Sequence, residues 1–225
     1  MELGVSNWQL ILYLFGAYLM GSIPTAYLAG RLLKGIDIRE YGSGNVGGSN
    51  AGDTLGRPLM FIVGFLDIVK AAIPTWIALV PLDLGYGIAV AAGLAAVIGH
   101  NWSIFLRFTG GRGLSAFLGM LVIVFPWGAV FLMAIIIIGF FLKSTAGSTV
   151  GLLGLPFFSL ALAMPVAVTV GCGGMILITA AKRLEANRAP LPEGSEKWGV
   201  IWRRLWLDRD IEDHQEWLSR RPPGE

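Results

Sequence analysis

Charge and cysteine are scarce in this 225-residue chain. Charged residues make up 14% against 55% hydrophobic, and mean hydropathy is +0.67. That balance excludes an ordinary soluble domain and indicates an integral membrane protein. The single cysteine, Cys172, lies in an apolar run, so disulfides within the chain and thiolate metal sites are excluded. Net charge is only +2, with basic and acidic residues interspersed, which leaves no nucleic-acid footprint. No basic stretch precedes the first apolar segment, about Trp8 to Ala29. That segment is longer than the apolar region of a cleaved leader, so a retained membrane helix is expected. No internal repeat and no alternating strand pattern is visible.

What the chain does have is a series of apolar segments, at 8–30, 59–80, 86–99, 114–125, 127–142, 149–163 and 166–181. They predict an all-α, polytopic membrane protein of seven helices. Several are shorter than the roughly 20 residues that cross a bilayer unaided, and soft boundaries at Pro126 and Pro165 leave five spans as the competing count. Lysine and arginine favour seven. Arg31, Lys34, Arg39 and Arg57 follow the first span, Arg107 and Arg112 the third, Lys143 the fifth, and Lys182 and Arg183 open the tail. All then share one face, which is expected to be cytoplasmic, with the N-terminus outside. Residues 1–181 read as the membrane domain, with cytoplasmic loops at 31–58, 100–115 and 143–149. Residues 182–225 read as a cytoplasmic tail. There Trp198, Ile201, Trp202, Leu205 and Trp206 recur at helical spacing beside Arg203, Arg204 and Arg209. This fits an amphipathic helix in the headgroup region; anchoring is its ordinary role, and admitting substrate the alternative.

Three polar stretches fall on that face. Gly42 to Asn50 reads GSGNVGGSN, where small residues let backbone N–H groups approach an anion. Gly42, Gly44 and Gly47 satisfy a dinucleotide pattern, with Asp67 at the usual distance, but the strand and βαβ unit it needs are missing. A ligand-free turn is the plain reading; Ser43, Asn45, Ser49 and Asn50 add donors that suit phosphate oxygens. The second stretch, GHNWSIFLRFTGGRGLS from Gly99 to Ser115, sets His100 beside a GGRG turn. Arg112 there could fork onto a phosphate or carboxylate, or reach for headgroups. The third, KSTAGST from Lys143 to Thr149, offers hydroxyls that are either helix caps or donors to a substrate. Within the second span, Asp67 and Lys70 share a helical face. Charges there are costly, and either an internal pair or a substrate contact would account for them.

The run from Gly21 to Asn50, then Asp67 with Lys70, then GHNWSIFLRFTGGRG, resembles the bacterial acyl-phosphate:glycerol-3-phosphate acyltransferase family, the PlsY type. The resemblance covers most of residues 21–155. It implies seven membrane helices and transfer of a fatty acyl group from acyl phosphate to the 1-hydroxyl of glycerol 3-phosphate, giving lysophosphatidic acid and phosphate. No metal, coenzyme A or other cofactor is implied. Expected partners are membrane lipid and the two substrates, with a monomer in a bacterial plasma membrane and the active site on the cytoplasmic side. By resemblance, Ser43, His100 and Ser148 are catalytic. Asn45, Gly47, Asn50, Arg57, Lys70, Gly110, Gly111, Arg112, Gly113 and Asn187 are substrate-binding.

The departures from the family are specific. Arg112 stands for the family's lysine. Val46, Gly48, Ser49, Ser103 and Thr109 replace proline, alanine, threonine, proline and lysine. Asp53 falls where the family has an arginine expected to meet phosphate, a reversal worth on the order of several kcal/mol beside a dianion. Arg57, at a family lysine position, is the residue that could compensate. The expected mechanism is direct attack of the acceptor hydroxyl on the activated anhydride, with His100 as orienter or base and no acyl-enzyme. A paralogue with another polyol phosphate or alcohol as acceptor is the nearest alternative. A small transporter is the alternative from another class.

Overall fold

In a computed structural model, residues 6–142, 146–186 and 190–212 are described. Ten α-helices are found among them: α1 (Asn7–Ser22), α2 (Thr25–Lys34), α3 (Gly48–Leu55), α4 (Arg57–Leu79), α5 (Gly85–Asn101), α6 (Leu114–Val124), α7 (Pro126–Phe141), α8 (Gly147–Ala161), α9 (Val166–Ala186) and α10 (Glu196–Leu207). No strand is present among the described residues; one isolated bridge joins Ser103 and Thr109. Three stretches are long and apolar enough to cross a membrane: Asn7–Lys34, Arg57–Leu79 and Val166–Glu185. The other expected segments appear as the shorter apolar helices α5 to α8.

The first apolar segment differs from its expectation of one helix. Pro24 has no N–H to give and pushes Ile23 out of helical geometry, to φ −57° and ψ 116°, so α1 stops and α2 restarts at Thr25. Pro126 does the opposite service at the first turn of α7, where its missing N–H costs nothing.

Lipid-suited and protein-suited faces separate cleanly. Phe61, Phe65, Trp76, Trp127, Phe140, Phe141, Phe157, Val170 and Leu177 are exposed, as apolar side chains facing hydrocarbon would be. The buried centre is α5 and α6, through Ala89, Ala92, Ala96 and Val97 on one and Ala116, Phe117, Met120 and Leu121 on the other. Small residues set the spacing. A Cβ on Gly21 of α1 would strike the backbone of Ala96, one on Gly99 would strike the Tyr18 carbonyl, and one on Gly119 of α6 would strike the Ile68 carbonyl of α4. Backbones this close gain dispersion contacts, which drive helix association where lipid removes the hydrophobic incentive.

One polar cluster crosses this interior. Asp67 Oδ1 lies 2.8 Å from Lys70 Nζ, accepts from Thr25 Oγ1 at 2.6 Å and sits 3.4 Å from His100 Nδ1. Lys70 Nζ also donates to the Ile23 carbonyl at 2.9 Å. The buried pair therefore joins α4, the α1–α2 break and the end of α5. Removing one partner of a buried pair is far costlier than removing both. Asp67→Leu is expected to cost about 3–5 kcal/mol by stranding the Lys70 ammonium, and Asp67→Leu with Lys70→Met to recover most of that loss. Thermal unfolding in detergent checks both; an Asp67→Leu protein that melts like the parent would refute the role given to the pair.

Candidate active site

The loop between α2 and α3 is shaped by two side chains. Asp37 caps the turn at Ile38–Glu40, accepting from Arg39 N at 3.1 Å, Arg39 Nε at 3.0 Å and Arg39 Nη2 at 2.6 Å. Arg31 adds a longer contact at 3.4 Å, and both guanidinium groups lie over the Tyr27 ring. Hydrogen bonding from Arg39 holds the Asp37 carboxyl below the usual carboxylate range. Asn50, fully buried, is the second organiser. Its Oδ1 accepts from Ser43 N at 3.0 Å, and its Nδ2 donates to the Ile38 and Asn45 carbonyls, both at 3.0 Å. Both amide hydrogens of Asn50 are thus spent on the loop itself, whereas its sequence suggested a donor to substrate. Gly42 (φ +57°) and Gly44 (φ +66°) take the left-handed turns this wrapping requires. Ser43 and Asn45 are partly exposed on the loop, and Gly47 is buried ahead of α3.

The second loop wraps the end of α5. Gly111 N donates to the His100 carbonyl at 3.0 Å. Gly110 lies against the His100 and Asn101 carbonyls, and a Cβ on Gly111 would collide with His100 Nε2. Gly113, at φ +79°, leads into the N-terminus of α6. His100 is buried, with Nδ1 toward Asp67 and Nε2 against the Gly111 backbone. Asn101 was missed by the sequence reading. It is fully buried, lies against Gly113, and has no hydrogen-bonding partner for its carboxamide among the described residues. The signal was a polar residue directly after His100 on a helix otherwise apolar.

The third loop meets the tail. Ser148 Oγ accepts from Arg183 Nη2 at 3.2 Å, and Thr149 Oγ1 accepts from Arg183 Nη1 at 2.7 Å. Thr149 then donates to the Trp206 carbonyl at 2.9 Å, and Arg183 Nη1 to that of Leu205 at 2.5 Å. Arg112 pairs with Asp208, Nε lying 2.9 and 2.7 Å from its two oxygens. Trp102 Nε1 donates to Glu185 at 2.8 Å, and Glu185 pairs with Lys182 at 3.0 Å. Arg39 Nη1 donates to Thr109 at 3.4 Å, tying the first loop to the second. Through these contacts the three loops and the tail gather at one end of the bundle.

Not every expected residue joins that group. Lys70 is held in the interior by Asp67 and Ile23. Arg57 and Asp53 are exposed at the α3–α4 junction, and neither makes an ion pair among the described residues. Asn187 and Lys143 lie outside the described residues.

Among the described residues, an all-helical bundle with an apolar exterior, whose glycine turns, hydroxyls and guanidinium groups collect at one end, defines an integral membrane protein with one polar, cation-bearing end. The particular family follows from comparison. Residues 11–189 match the family model for glycerol-3-phosphate acyltransferase, and the chain belongs to that family. It is 39% identical over 211 residues to glycerol-3-phosphate acyltransferase 4 of Dehalococcoides mccartyi (strain CBDB1), covering 90% of each chain. It is 36% identical over 221 residues to glycerol-3-phosphate acyltransferase 5 of Dehalococcoides mccartyi (strain ATCC BAA-2266 / KCTC 15142 / 195), covering 93% of each. Among solved structures it is similar to PlsY, an integral membrane glycerol 3-phosphate acyltransferase, in its glycerol 3-phosphate form. The TM-score is 0.72 at 31% identity, over 78% of this chain and 88% of that one. The lysophosphatidic acid form of the same enzyme gives 0.69 at 30%, with the same coverage.

The Asp37 clasp carries a pH dependence. Its carboxyl is depressed in the folded state, so its stabilisation is present above the unfolded value near 4 and lost as pH falls through the folded value. Asp37→Asn is expected to cost at most about 1 kcal/mol near neutrality, because both arginines are partly exposed, and nothing in strong acid. Proteolysis of the 35–47 loop across pH checks this; a difference from the parent that persists in acid would contradict it.

Proposed function

We propose that this chain transfers a fatty acyl group from acyl phosphate to the 1-hydroxyl of glycerol 3-phosphate, releasing lysophosphatidic acid and inorganic phosphate. It acts as a monomer of seven spans in a bacterial plasma membrane, N-terminus outside and site on the cytoplasmic side. The observation that carries this reading is the GGRG turn folded onto the end of α5, which leaves His100 Nε2 against the glycine backbone and Arg112 at the polar end of the bundle. The family match supports the acceptor, and PlsY solved with glycerol 3-phosphate and with lysophosphatidic acid supports a substrate and product of this chemistry.

In this scheme the acceptor oxygen bonds to the acyl carbon, the bond from that carbon to the phosphate oxygen breaks, and the acceptor proton leaves with a phosphate oxygen or through His100. The anhydride is already activated, so orientation and anion stabilisation supply most of the acceleration. Gly110, Gly111 and Gly113 bring backbone close to a phosphate, and Arg112 offers charge. Asp67 at Nδ1 fixes the His100 ring, and Lys70 acts through Asp67. Ser43 and Asn45, with Gly47 behind them, form the second wall, which Asn50 shapes. Ser148, held by Arg183, faces the reacting carbonyl. Arg57, exposed at the α3–α4 junction, and Asn187 are assigned to substrate by the family resemblance alone.

Asp53 favours a second reading, acylation of a different polyol phosphate or alcohol. The purified protein in lipid, given acyl phosphate with and without glycerol 3-phosphate, distinguishes the two. Acceptor-dependent phosphate release by the parent is the expected outcome, with Asp53→Arg changing the KM for glycerol 3-phosphate by about tenfold or less, since the side chain is exposed. Release by Asp53→Arg alone would establish the second reading. A stable acyl group on Ser43 or Ser148 would overturn direct transfer.

A further inference from the structure

The tail beyond residue 189 lies outside the stretch matched by the family, yet its helix ends against the GGRG turn. Asp208 caps α10 in the left-handed region, at φ 56° and ψ 35°, a conformation glycine takes more easily than any residue with a side chain. Aspartate is among the few residues with a side chain that visit this region. Its carboxylate meets Arg112 through Nε alone. Among the described residues Nη1 and Nη2 of Arg112 have no hydrogen-bonding partner, and the side chain keeps 16% of its exposure. One edge of the planar fork is gripped, and the other, which matches a phosphate, is open.

The grip is itself held in place. The Leu205 carbonyl accepts from Arg183, the Trp206 carbonyl from Thr149, and Asp208 N donates to the Arg204 carbonyl at 3.1 Å. Arg204 in turn pairs with Asp210 at 2.6 Å. The segment that delivers Asp208 is therefore anchored to the start of α8 and the end of α9, so the carboxylate occupies a fixed point beside the loop.

We propose that Asp208 is a positioning residue of the acceptor site: anchored by the tail, it holds the Arg112 guanidinium by Nε and turns the Nη edge toward the phosphate of the substrate. This rests on the acyltransferase reading above. A carboxylate that merely occupied the anion's place would have the opposite signature, since removing it would improve substrate binding.

Asp208→Asn tolerates the same backbone conformation, and Asp208→Gly relieves it, so neither variant is expected to melt below the parent. Both are expected to raise the KM for glycerol 3-phosphate about tenfold, with kcat and the KM for acyl phosphate held within about twofold. On an Arg112→Ala background the same changes should add nothing, because the two residues act as one unit. An unchanged KM for glycerol 3-phosphate, or a lowered one, would overturn the proposal. If the parent shows no acceptor-dependent phosphate release, the acyltransferase reading fails instead. Titration with inorganic phosphate then decides for Asp208: tighter binding by the parent than by Asp208→Asn upholds the role, and equal or weaker binding refutes it.

Discussion

The Asp67 carboxylate is the point on which the other arrangements depend. A single oxygen of this group is approached by the Lys70 ammonium, the Thr25 hydroxyl and the His100 imidazole, which belong to three different helices. A membrane helix interrupted by proline leaves backbone groups that lipid cannot satisfy. Here the ammonium of Lys70 reaches the Ile23 carbonyl at the break, and the Ser103 hydroxyl donates to the Ser22 carbonyl at 2.5 Å. The break is thereby secured from both α4 and the second loop. Because the clasp includes His100, the geometry that ends α1 and restarts α2 also orients the imidazole beside the glycine turn.

The two glycine-rich loops reach similar ends by different means. In the second, close packing does the shaping: Gly110 and Gly111 lie where any Cβ would collide with the end of α5. In the first, one buried asparagine does it, by pairing with three backbone groups of residues 38, 43 and 45. A collision-defined turn is rigid, whereas a loop held by one side chain depends on that side chain remaining in place. Salt bridges from Asp37 to Arg39 and Arg31 brace the softer loop, and the Arg39–Thr109 contact leans it against the firmer one.

Much of this was legible in the sequence. Helical content, the apolar segments and the polar face follow from hydropathy and from where lysine and arginine fall, since partition between lipid and water is a local property of the side chain. Asp67 and Lys70 could be paired because three residues of helix bring them together. The rest needed contacts between distant parts of the chain. Pro24 could be seen, but whether a proline kinks or ends a helix depends on what satisfies the freed carbonyls, here Lys70 and Ser103. Asn50 read as a donor for substrate because nothing local reveals that its amide points inward. Arg112 and Asp208 lie 96 residues apart, with no periodicity to relate them. Asn101 had only its polarity to mark it.

The arginines at the polar end are more neutralised than their number suggests, and this bears on the charge reversal at residue 53. Arg31 and Arg39 are engaged by Asp37, Arg204 by Asp210, and Arg112 at one edge by Asp208. On the proposed reading such an end attracts a phosphate less by net potential than by donors fixed in direction, which hold their value when surrounding charges cancel. An exposed carboxylate acts mainly through the long-range potential, in solvent where a unit charge at 4 Å is worth about 1 kcal/mol. Asp53 is exposed, so its effect belongs to that weaker regime, well below the several kcal/mol its position in the family pattern suggested. In the proposed reaction the acceptor is therefore chosen mainly by where the glycine backbone and the Arg112 fork point. An arginine replaced by aspartate on the rim is compatible with an unchanged acceptor.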